Sequence, residues 1–518
     1  MPEPDSSRLS GLTHQGADWS GLRVLVAGLG ISGFAAADAL LERGAVVTVV
    51  DGVDPAASGV VTERAQILGV LGADVRLGAV HVTAVPDDTD LVIASPGWRP
   101  DQPLLRDAVA AGIPVWAEVE LAWRMRPRTG AAPWLTVTGT NGKTTTVNML
   151  ASILRAAGLR AASAGNVGTP LLEAVLHPEP YDVLAVELSS AQLVWSHSIS
   201  PLASACLNVA ADHLDWHGSA EAYLAAKGKV YQRTQVACVY NVQDEATERL
   251  VEQAEVVDGC RAVGFTLGVP SPSMVGLVGD VLADRAFVEQ RQTSAAELGT
   301  LADLQRGDAA AIGGEHPVAP HYVANALAAA ALARAYGVPP VAVRDGLRAF
   351  VPDPHRIADV AVVAGVRFVD DSKATNPHAA AASLAAFEPV VWVAGGLLKG
   401  ADVDSLVQSV ATRLRAAVLI GADRERLAGA LARHAPDVPV VDVASTETDA
   451  MDLVVGHAAA LARPGDVVLL APAAASWDMF TSYGARGDAF AAAVRRHAAR
   501  AGGAAGSGPA DDGGTAGS

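Results

Sequence analysis

The chain has 518 residues, of which half are hydrophobic and 18% are charged, and its formal net charge is −18. A chain of this length is too long for one hydrophobic core, so about three domains are expected. The negative charge argues against nucleic acid or an anionic membrane surface as a partner, and no apolar run is long enough to predict a membrane span.

The cysteine and lysine usage narrows the class of protein further. Three cysteines lack the spacing of a metal site or a disulfide framework, and the first residues lack a signal-peptide pattern, so we expect a cytoplasmic protein. Of 38 basic residues only five are lysine. A chain that uses arginine so freely is expected to keep lysine where a compact ammonium or a nucleophilic amine is needed. The five are Lys143, Lys227, Lys229, Lys373 and Lys399.

The first segment contains a glycine-rich turn between a strand and a helix. Residues 1–20 are polar and are expected to be loose. A strand at 23–27 leads into G-x-G-x-x-G at 28–33, followed by a helix and by a strand that ends at Asp51. This pattern is typical of a nucleotide pyrophosphate site, although a plain packing turn stays possible and the nucleotide is not defined. A further strand at 91–94 ends at Ser95-Pro96-Gly97, a position where open α/β sheets bind ligands.

The central segment contains the clearest motif of the chain. An apolar strand at 134–137 is followed by Gly139-Thr140-Asn141-Gly142, then by Lys143-Thr144-Thr145 and a helix to 157. Strand, glycine turn, Lys-Thr and helix predict a phosphate-binding loop, with Lys143 on the β- and γ-phosphates and the Thr144 hydroxyl on Mg²⁺. The first glycine comes two residues later than in the usual pattern, so an ordinary turn is the alternative.

Polar residues follow the next predicted strands of the central segment. Glu187 ends a buried strand and is placed to ligate Mg²⁺, and His213 follows another strand. A turn could present Asn166 to a ligand, and a helix at 221–231 carries Lys227 and Lys229, the latter interpreted as a surface charge. A later Ala/Leu helix is predicted to open at Asn325.

In the last segment, strands alternate with helices, which indicates a mostly parallel sheet. Lys373, Lys399 and Ser476 each lie just after a predicted strand end. The glycine-rich tail from about residue 501 has no apolar periodicity and is expected to be disordered.

Five motifs in chain order, TGTNGKTTT, ELSSAQL, LNVAADHLDWH, DDSKATN, and APAAASWDMF with the downstream ARGDAF, resemble the Mur ligase family. GLGISG and DSKATN make the chain most similar to the members that add D-glutamate, over about residues 22–495. The resemblance implies an α/β fold with three domains. These are a Rossmann-like UDP-substrate domain at 22–128, a P-loop ATPase domain at 129–352 and a Rossmann-like domain at 353–500 that binds the amino acid and closes over ATP, with a tail at 501–518.

The resemblance also implies a reaction and its ligands. ATP would phosphorylate the carboxylate of UDP-N-acetylmuramoyl-L-alanine, and the amine of D-glutamate would displace phosphate from the acyl phosphate during peptidoglycan precursor synthesis. Two Mg²⁺ ions and a carbamylated Lys227 are implied, and we expect a monomer.

Residue roles carry over by position. Lys143, Lys227 and His213 would be catalytic. The ATP contacts would be Gly139, Thr140, Asn141, Gly142, Lys143, Thr144, Thr145, Asn325 and Arg356. The metal ligands would be Thr144, Glu187, His213 and Lys227. The substrate contacts would be Ile31, Ser32, Asp51, Ser95, Pro96, Gly97, Asn166, Lys373, Thr375, Lys399 and Ser476.

Three other interpretations stay open at this point. Another amino-acid-adding member of the family would share the ATP site and differ in the acceptor. An NAD-dependent oxidoreductase would explain GLGISG but not the phosphate loop. A regulatory protein that has lost activity is disfavoured, because every proposed catalytic position holds a competent residue.

Overall fold

A computed structural model describes residues 6–56, 58–305, 318–444 and 450–505. These residues fall into two compact units, the first within Met1–Leu304 and Tyr322–Phe350 and the second within Gln305–His321 and Val351–Ser518. Within the described ranges the strands form three sheets, and the fold is a mixed α/β arrangement in which parallel pairing predominates.

The first sheet is parallel, with strand order β3-β2-β1-β4-β5. The order reverses between β1 and β4, so the carboxyl ends of these two strands border a crevice that can take a ligand. Its elements are α1 Ser6–Gly11, β1 Arg23–Ala27, α2 Ile31–Leu41, β2 Val46–Asp51, α3 Gly59–Val70, β3 Asp74–Leu77, β4 Leu91–Ala94, α4 Pro103–Ala110, β5 Val115–Ala117 and α5 Glu118–Arg124.

The second sheet has strand order β14-β13-β12-β11-β10-β9-β6-β8-β7, and β12 to β14 pair in the antiparallel sense. Its strands are β6 Trp134–Thr138, β7 Ala161–Gly165, β8 Val183–Glu187, β9 Ala203–Cys206, β10 Ala237–Asn241, β11 Arg261–Phe265, β12 Met274–Val278, β13 Val281–Asp284 and β14 Ala296–Thr300. Its helices are α6 Lys143–Ala156, α7 Leu171–Val175, α8 Ser190–Val194, α9 Leu214–His217, α10 Ala220–Gly228, α11 Glu245–Glu252, α12 Pro320–Tyr336 and α13 Pro340–Ala349.

The third sheet belongs to the second unit and has strand order β15-β16-β20-β17-β18-β19, with β15 antiparallel to β16. Its elements are β15 Ala358–Val363, β16 Val366–Asp370, α14 Pro377–Leu384, β17 Val390–Gly395, α15 Asp404–Val410, β18 Leu414–Ile420, α16 Arg424–His434, β19 Val440–Asp442, α17 Ala450–Leu461, β20 Val467–Leu470 and α18 Tyr483–Ala505. The alternation of strands and helices predicted for this segment is confirmed.

Two buried carboxylates join the first sheet's last helix to the central elements. Glu118 accepts a hydrogen bond from the Leu172 N–H at 2.9 Å, and Glu120 accepts from the His197 and Ser198 N–H groups at 2.8 and 3.0 Å. Both side chains are almost fully buried, and burial raises the pKa of Glu118 to about 7. The two parts of the first unit also share one hydrophobic core.

Three sequence predictions are wrong at their edges. The first twenty residues are not all loose, because Leu12 and Trp19 are buried and the Trp19 indole donates to the His14 carbonyl. Helix α12 begins at Pro320 and not at Asn325, since proline is well suited to the first turn of a helix. The final helix continues to Ala505, past the predicted start of the tail, and residues 506–518 lie outside the described ranges.

Candidate active site

The predicted phosphate-binding turn lies between a fully buried strand, β6, and the first residue of α6. Gly139 and Gly142 have φ of 153° and 85°, in the region that favours glycine, and Gly142 caps the helix. The predicted strand, turn and helix are therefore confirmed. The backbone N–H groups of the first turn of α6 and the positive end of its dipole lie where an anion binds best.

Asn325 lies directly against this turn. A Cβ placed on Gly142 would come within 2.3 Å of the Asn325 Oδ1 atom, and Asn325 itself is buried on α12. The structure therefore brings this predicted nucleotide-contacting residue to the phosphate turn, although the two are separated by more than 180 residues in the sequence.

Two of the predicted catalytic residues converge on one carbonyl oxygen of the turn. The Lys143 Nζ atom donates to the Gly139 carbonyl at 2.9 Å and to the Thr140 carbonyl at 3.0 Å, and the Lys227 Nζ atom donates to the Gly139 carbonyl at 2.8 Å. Lys227 is 1% exposed. Burial, followed by the charge of Lys143, lowers the pKa of Lys227 to about 7. The Lys227 amine therefore loses its proton near physiological pH.

Side chains that sequence reasoning missed hold the turn in place. Asn208 accepts from the Asn141 N–H at 2.9 Å and donates to the Asn141 carbonyl at 3.1 Å. The Thr140 hydroxyl lies 3.0 Å from the Tyr223 hydroxyl. The signal was present for Asn208, which follows the end of β9 within LNVAADH just as Glu187 ends β8.

The two carboxylate oxygens of Glu187 differ in their hydrogen bonding. Its Oε1 atom accepts from Asn166 Nδ2 at 3.0 Å. Its Oε2 atom is buried and has no hydrogen-bond partner among the described residues. An unpaired buried carboxylate oxygen fits a divalent cation, which prefers such ligands. Asn166, which was predicted to contact the substrate, donates to Glu187, and its contact with the substrate stays a prediction.

His213 lies on the surface, at the position that caps α9. Its φ is 51°, its side chain is 63% exposed, and its Nε2 atom lies 3.7 Å from Asp212 Oδ2. Within the part of the chain that the structure describes, no group of three or more His, Cys, Asp or Glu side chains is gathered as a metal site. A metal held here would therefore need further ligands besides these side-chain types, such as hydroxyls, phosphate oxygens, water or a carbamate.

One lysine interpretation is wrong. Lys229 is not a surface charge, because it is half-buried and its Nζ atom donates to the Val194 carbonyl at 2.6 Å. Burial lowers the pKa of Lys229 below its ordinary value. Lys229 lies at the C-terminal end of α10, the helix that carries Lys227.

The predicted substrate-binding residues of the first sheet gather at the crevice between β1 and β4. Asp51 accepts from the Leu29 N–H at 2.7 Å and from the Val53 N–H at 3.0 Å, and the Ser95 hydroxyl donates to the Gly28 carbonyl at 3.3 Å. Ile31 is 63% exposed at the first position of α2. Ser32 is partly exposed on the same turn, and Pro96-Gly97 follow Ser95 at the end of β4.

In the second unit, the two lysines predicted to bind the acceptor each lie over an aromatic ring. Lys373 Nζ is 4.0 Å from the ring centroid of Tyr483, and Lys399 Nζ is 4.1 Å from that of Trp477. Trp477 is 67% exposed and directly follows Ser476. Sequence reasoning missed both rings. Such cation–π contacts restrict where an ammonium group can point.

A buried guanidinium ties together the segments that carry these lysines. Arg486 is 1% exposed, and it donates to the Ser372 hydroxyl at 3.0 Å, the Ser372 carbonyl at 2.9 Å and the Ala474 carbonyl at 3.1 Å, with a longer bond of 3.4 Å to the Gly395 carbonyl. Burial lowers the pKa of Arg486 to about 10. The ends of β16, β17 and β20 are thus fastened to one side chain, another residue that sequence reasoning did not single out.

The remaining predicted residues of this unit are Arg356, Thr375 and Ser476. His355, which precedes Arg356, accepts a hydrogen bond from the Lys373 N–H. His355 has φ of 61° and its Nδ1 atom is 2.6 Å from Asp370 Oδ2. Arg356 Nε lies 3.6 Å from Asp353 Oδ2. The Thr375 N–H donates to the Lys373 carbonyl at 2.8 Å, and Ser476 is buried.

Three family domains match the chain in order. The Mur ligase MurD-like N-terminal domain matches residues 22–117, the Mur ligase middle domain matches 137–333, and the Mur ligase glutamate ligase domain matches 355–474. The chain therefore belongs to the Mur ligase family, and it is an ATP-dependent, amide-forming ligase.

Relatives named UDP-N-acetylmuramoylalanine–D-glutamate ligase are similar over nearly the full length. The one from Streptomyces avermitilis is 60% identical over 478 residues, covering 92% of this chain and 99% of the relative. The one from Leifsonia xyli is 54% identical and covers 98% of each chain. The one from Tropheryma whipplei is 40% identical, covering 94% of this chain and 98% of the relative.

Solved structures support the fold. The UDP-N-acetylmuramate-alanine ligase of Thermotoga maritima aligns with a TM-score of 0.54 at 19% identity, covering 92% of this chain and 99% of its own. A pseudomurein peptide ligase type C from Methanothermus fervidus aligns with a TM-score of 0.51 at 17% identity, covering 92% and 100%. Among the described helices of our chain, none has the length and apolarity to cross a membrane.

Proposed function

We propose that this ligase joins D-glutamate to UDP-N-acetylmuramoyl-L-alanine, using ATP to form an acyl phosphate. The relatives that share up to 60% of its residues carry the name of this activity. The observation that carries the proposal is the phosphate-binding turn, where Lys143 and Lys227 converge on the Gly139 carbonyl. A carboxylate is a poor electrophile, and phosphorylation supplies the leaving group that an incoming amine displaces.

The turn's own residues position the phosphates and neutralise their charge. The N–H groups that begin α6 donate to phosphate oxygens, and Lys143 leaves its backbone acceptors to reach the transferring phosphoryl group. Phosphoryl transfer needs little covalent chemistry from a protein and much positioning and charge stabilisation. Asn325, packed against Gly142, faces the nucleotide from α12.

Mg²⁺ fits the residues present. Glu187 offers its unpaired Oε2 atom, and Thr144, buried at the start of α6, offers a hydroxyl. We assign His213 and Lys227 as the further ligands, at two metal positions. When bound, Mg²⁺ would neutralise charge on the phosphate oxygens.

Lys227 enters that ligand set as a carbamate. The neutral amine adds to the carbon of CO₂: the N–C bond forms, one C=O π bond breaks to give a carboxylate, and the nitrogen loses a proton to solvent. The product is an anionic oxygen ligand. Burial lowers the pKa of Lys227 to about 7, so a substantial fraction of this amine is neutral near pH 7. Two experiments test the assignment: ¹³CO₂ labelling should give a carbamate signal that is absent from Lys227→Ala, and short carboxylates should restore activity to that variant. Full activity of Lys227→Ala without added carboxylate would remove Lys227 from the metal site.

The acceptor is assigned to the second unit. Lys373 and Lys399 provide local positive charge in a strongly acidic protein, and Thr375 and Ser476 provide hydroxyls, a set that suits an amino acid with two carboxylates. The UDP part of the other substrate is assigned to the crevice at the ends of β1 and β4, with Asp51 and Ser95 to Gly97 around it.

One assay tests the whole proposal. Phosphate release is measured with ATP, Mg²⁺, UDP-N-acetylmuramoyl-L-alanine and a panel of D- and L-amino acids. We expect release with D-glutamate, and equal or faster release with another amino acid would overturn the assignment of the acceptor. Lys143→Ala should abolish turnover. Lys229→Ala, a lysine outside the turn, is the matched control and should keep most of it. A monomeric state and a cytoplasmic location stay predictions.

A further inference from the structure

Two of the three cysteines are in contact although the sequence separates them by more than twenty residues. The Sγ atoms of Cys238 and Cys260 lie 3.8 Å apart. Cys238 is on β10, whose parallel neighbour β11 places Ala262 opposite it, and Cys260 comes just before β11. A disulfide has an S–S length of about 2.05 Å. The two sulfur atoms would therefore have to approach by roughly 1.8 Å to reach bonding distance.

The two thiols differ in access and in proton affinity. Cys238 is buried and Cys260 is partly exposed. The hydrogen bond between the two thiols lowers the pKa of Cys260 and raises the pKa of Cys238, and burial raises the pKa of Cys238 further. The accessible sulfur is thus the one that more readily becomes a thiolate, which is the reactive form of cysteine.

We propose that Cys238 and Cys260 form an oxidation site, at which a small peroxide converts the two thiols to an intramolecular disulfide. The Cys260 thiolate attacks one peroxide oxygen, the O–O bond breaks, and a sulfenic acid and hydroxide form. The hydroxide takes the proton that the Cys260 thiol released and becomes water. The Cys238 sulfur then attacks Cys260 Sγ, the S–O bond breaks, and the departing hydroxide takes the proton that Cys238 loses. Overall, two thiols and one hydrogen peroxide give one disulfide and two waters, and each sulfur gives up one electron.

The pair has a chemical consequence for the exposed sulfur. A solitary accessible thiolate continues from sulfenic to sulfinic and sulfonic acid, which ordinary reductants do not reverse. A second thiol in contact captures the sulfenic acid first, and the resulting disulfide can be reduced again. Cys238 thereby protects Cys260 from permanent oxidation. This inference is independent of the proposed substrates, because Cys238 lies near the amino end of β10, whereas the phosphate turn follows the carboxyl end of the parallel strand β6.

The test uses the full-length, reduced protein, treated with hydrogen peroxide in buffer free of thiols. Intact mass should fall by two hydrogen masses, and non-reducing peptide mapping should show one cross-link between Cys238 and Cys260. Dithiothreitol should restore the original mass. A gain of oxygen at Cys260 without that cross-link, a disulfide between two chains, or no reaction would each overturn the proposal.

Two variants sharpen the result. Cys238→Ser should fold normally, because the hydroxyls of Ser204 and Thr234 already surround this position. Its Cys260 should gain two or three oxygen atoms that dithiothreitol does not remove. Cys206→Ser is the matched control, since Cys206 lies fully buried on the adjacent strand β9, and it should form the cross-link like the wild-type chain. If the wild-type chain accumulates the same oxygen adducts as Cys238→Ser, Cys238 does not act as the resolving thiol.

Discussion

Gly142→Ala tests whether the contact between the phosphate turn and Asn325 decides nucleotide binding. The new Cβ would lie 2.3 Å from Asn325 Oδ1, against at least 3.4 Å for an ordinary contact, so the amide must move by about 1.1 Å. A left-handed backbone at a residue with a Cβ costs about 1–2 kcal/mol, and overpacking of this kind costs about 1–3 kcal/mol. We expect a loss of roughly 2–5 kcal/mol in the free energy of unfolding and a rise of at least ~10-fold in KM for ATP.

The other end of the same helix offers a matched control. Gly158 follows α6 with φ of 81°, close to the 85° of Gly142, but a Cβ there meets nothing within 4 Å. Gly158→Ala should therefore lose only about 1–2 kcal/mol of unfolding free energy and keep its KM for ATP. Denaturant unfolding and phosphate-release kinetics measure both quantities. The reasoning fails if Gly142→Ala binds ATP normally, or if Gly158→Ala loses ATP binding to the same extent.

Three further predictions concern other parts of the molecule. Asn166→Ala frees Glu187, so the Mg²⁺ concentration for half-maximal phosphate release should rise by about 10-fold; an effect confined to KM for the UDP-substrate would contradict this. Trp477→Leu should raise KM for D-glutamate by about 2–5-fold, since an exposed cation–π contact contributes about 0.5–1 kcal/mol. In a Lys399→Met background, Trp477→Leu should leave KM for D-glutamate unchanged. If the two substitutions raise KM additively, Trp477 does not act through its contact with Lys399. Glu118 has a folded pKa of about 7 against an ordinary 4.5, so the folded state binds the extra proton. Stability should fall by about 1–3 kcal/mol as the pH rises from 5 to 7, and Glu118→Gln should remove that slope in thermal unfolding.

The order of strands and helices could be predicted where the local pattern was strong. The strand at Trp134, the turn at Gly139 and the helix after Lys143 combine an apolar run, two glycines and a helical spacing, and all three elements are present. Boundaries were less predictable. The helix around Asn325 begins earlier than predicted, at Pro320, and the Ala/Leu run that predicted the helix lies after Asn325.

The candidate site was predictable only as a set of residues at strand ends. The sequence indicates that Glu187 and Lys143 follow buried strands, but it does not indicate that Asn325 lies against Gly142, because that contact depends on packing between distant segments. Arg486 was missed for a related reason. From the sequence alone, an arginine is expected to be a surface charge. Only the fold shows that backbone carbonyl groups from separate loops surround the Arg486 guanidinium.

The central position of Arg486 limits how the acceptor specificity of this enzyme could be re-engineered. Its guanidinium bonds to backbone carbonyls at Ser372 and Ala474 as well as to the hydroxyl of Ser372. A single loop transplanted from a ligase with another acceptor would change the backbone of that loop only. The other Arg486 hydrogen bonds would still hold the guanidinium in its original position, where it need not fit the new loop. Chimaeras that exchange the loops after β16, β17 and β20 together should therefore tolerate the graft better than any single-loop exchange.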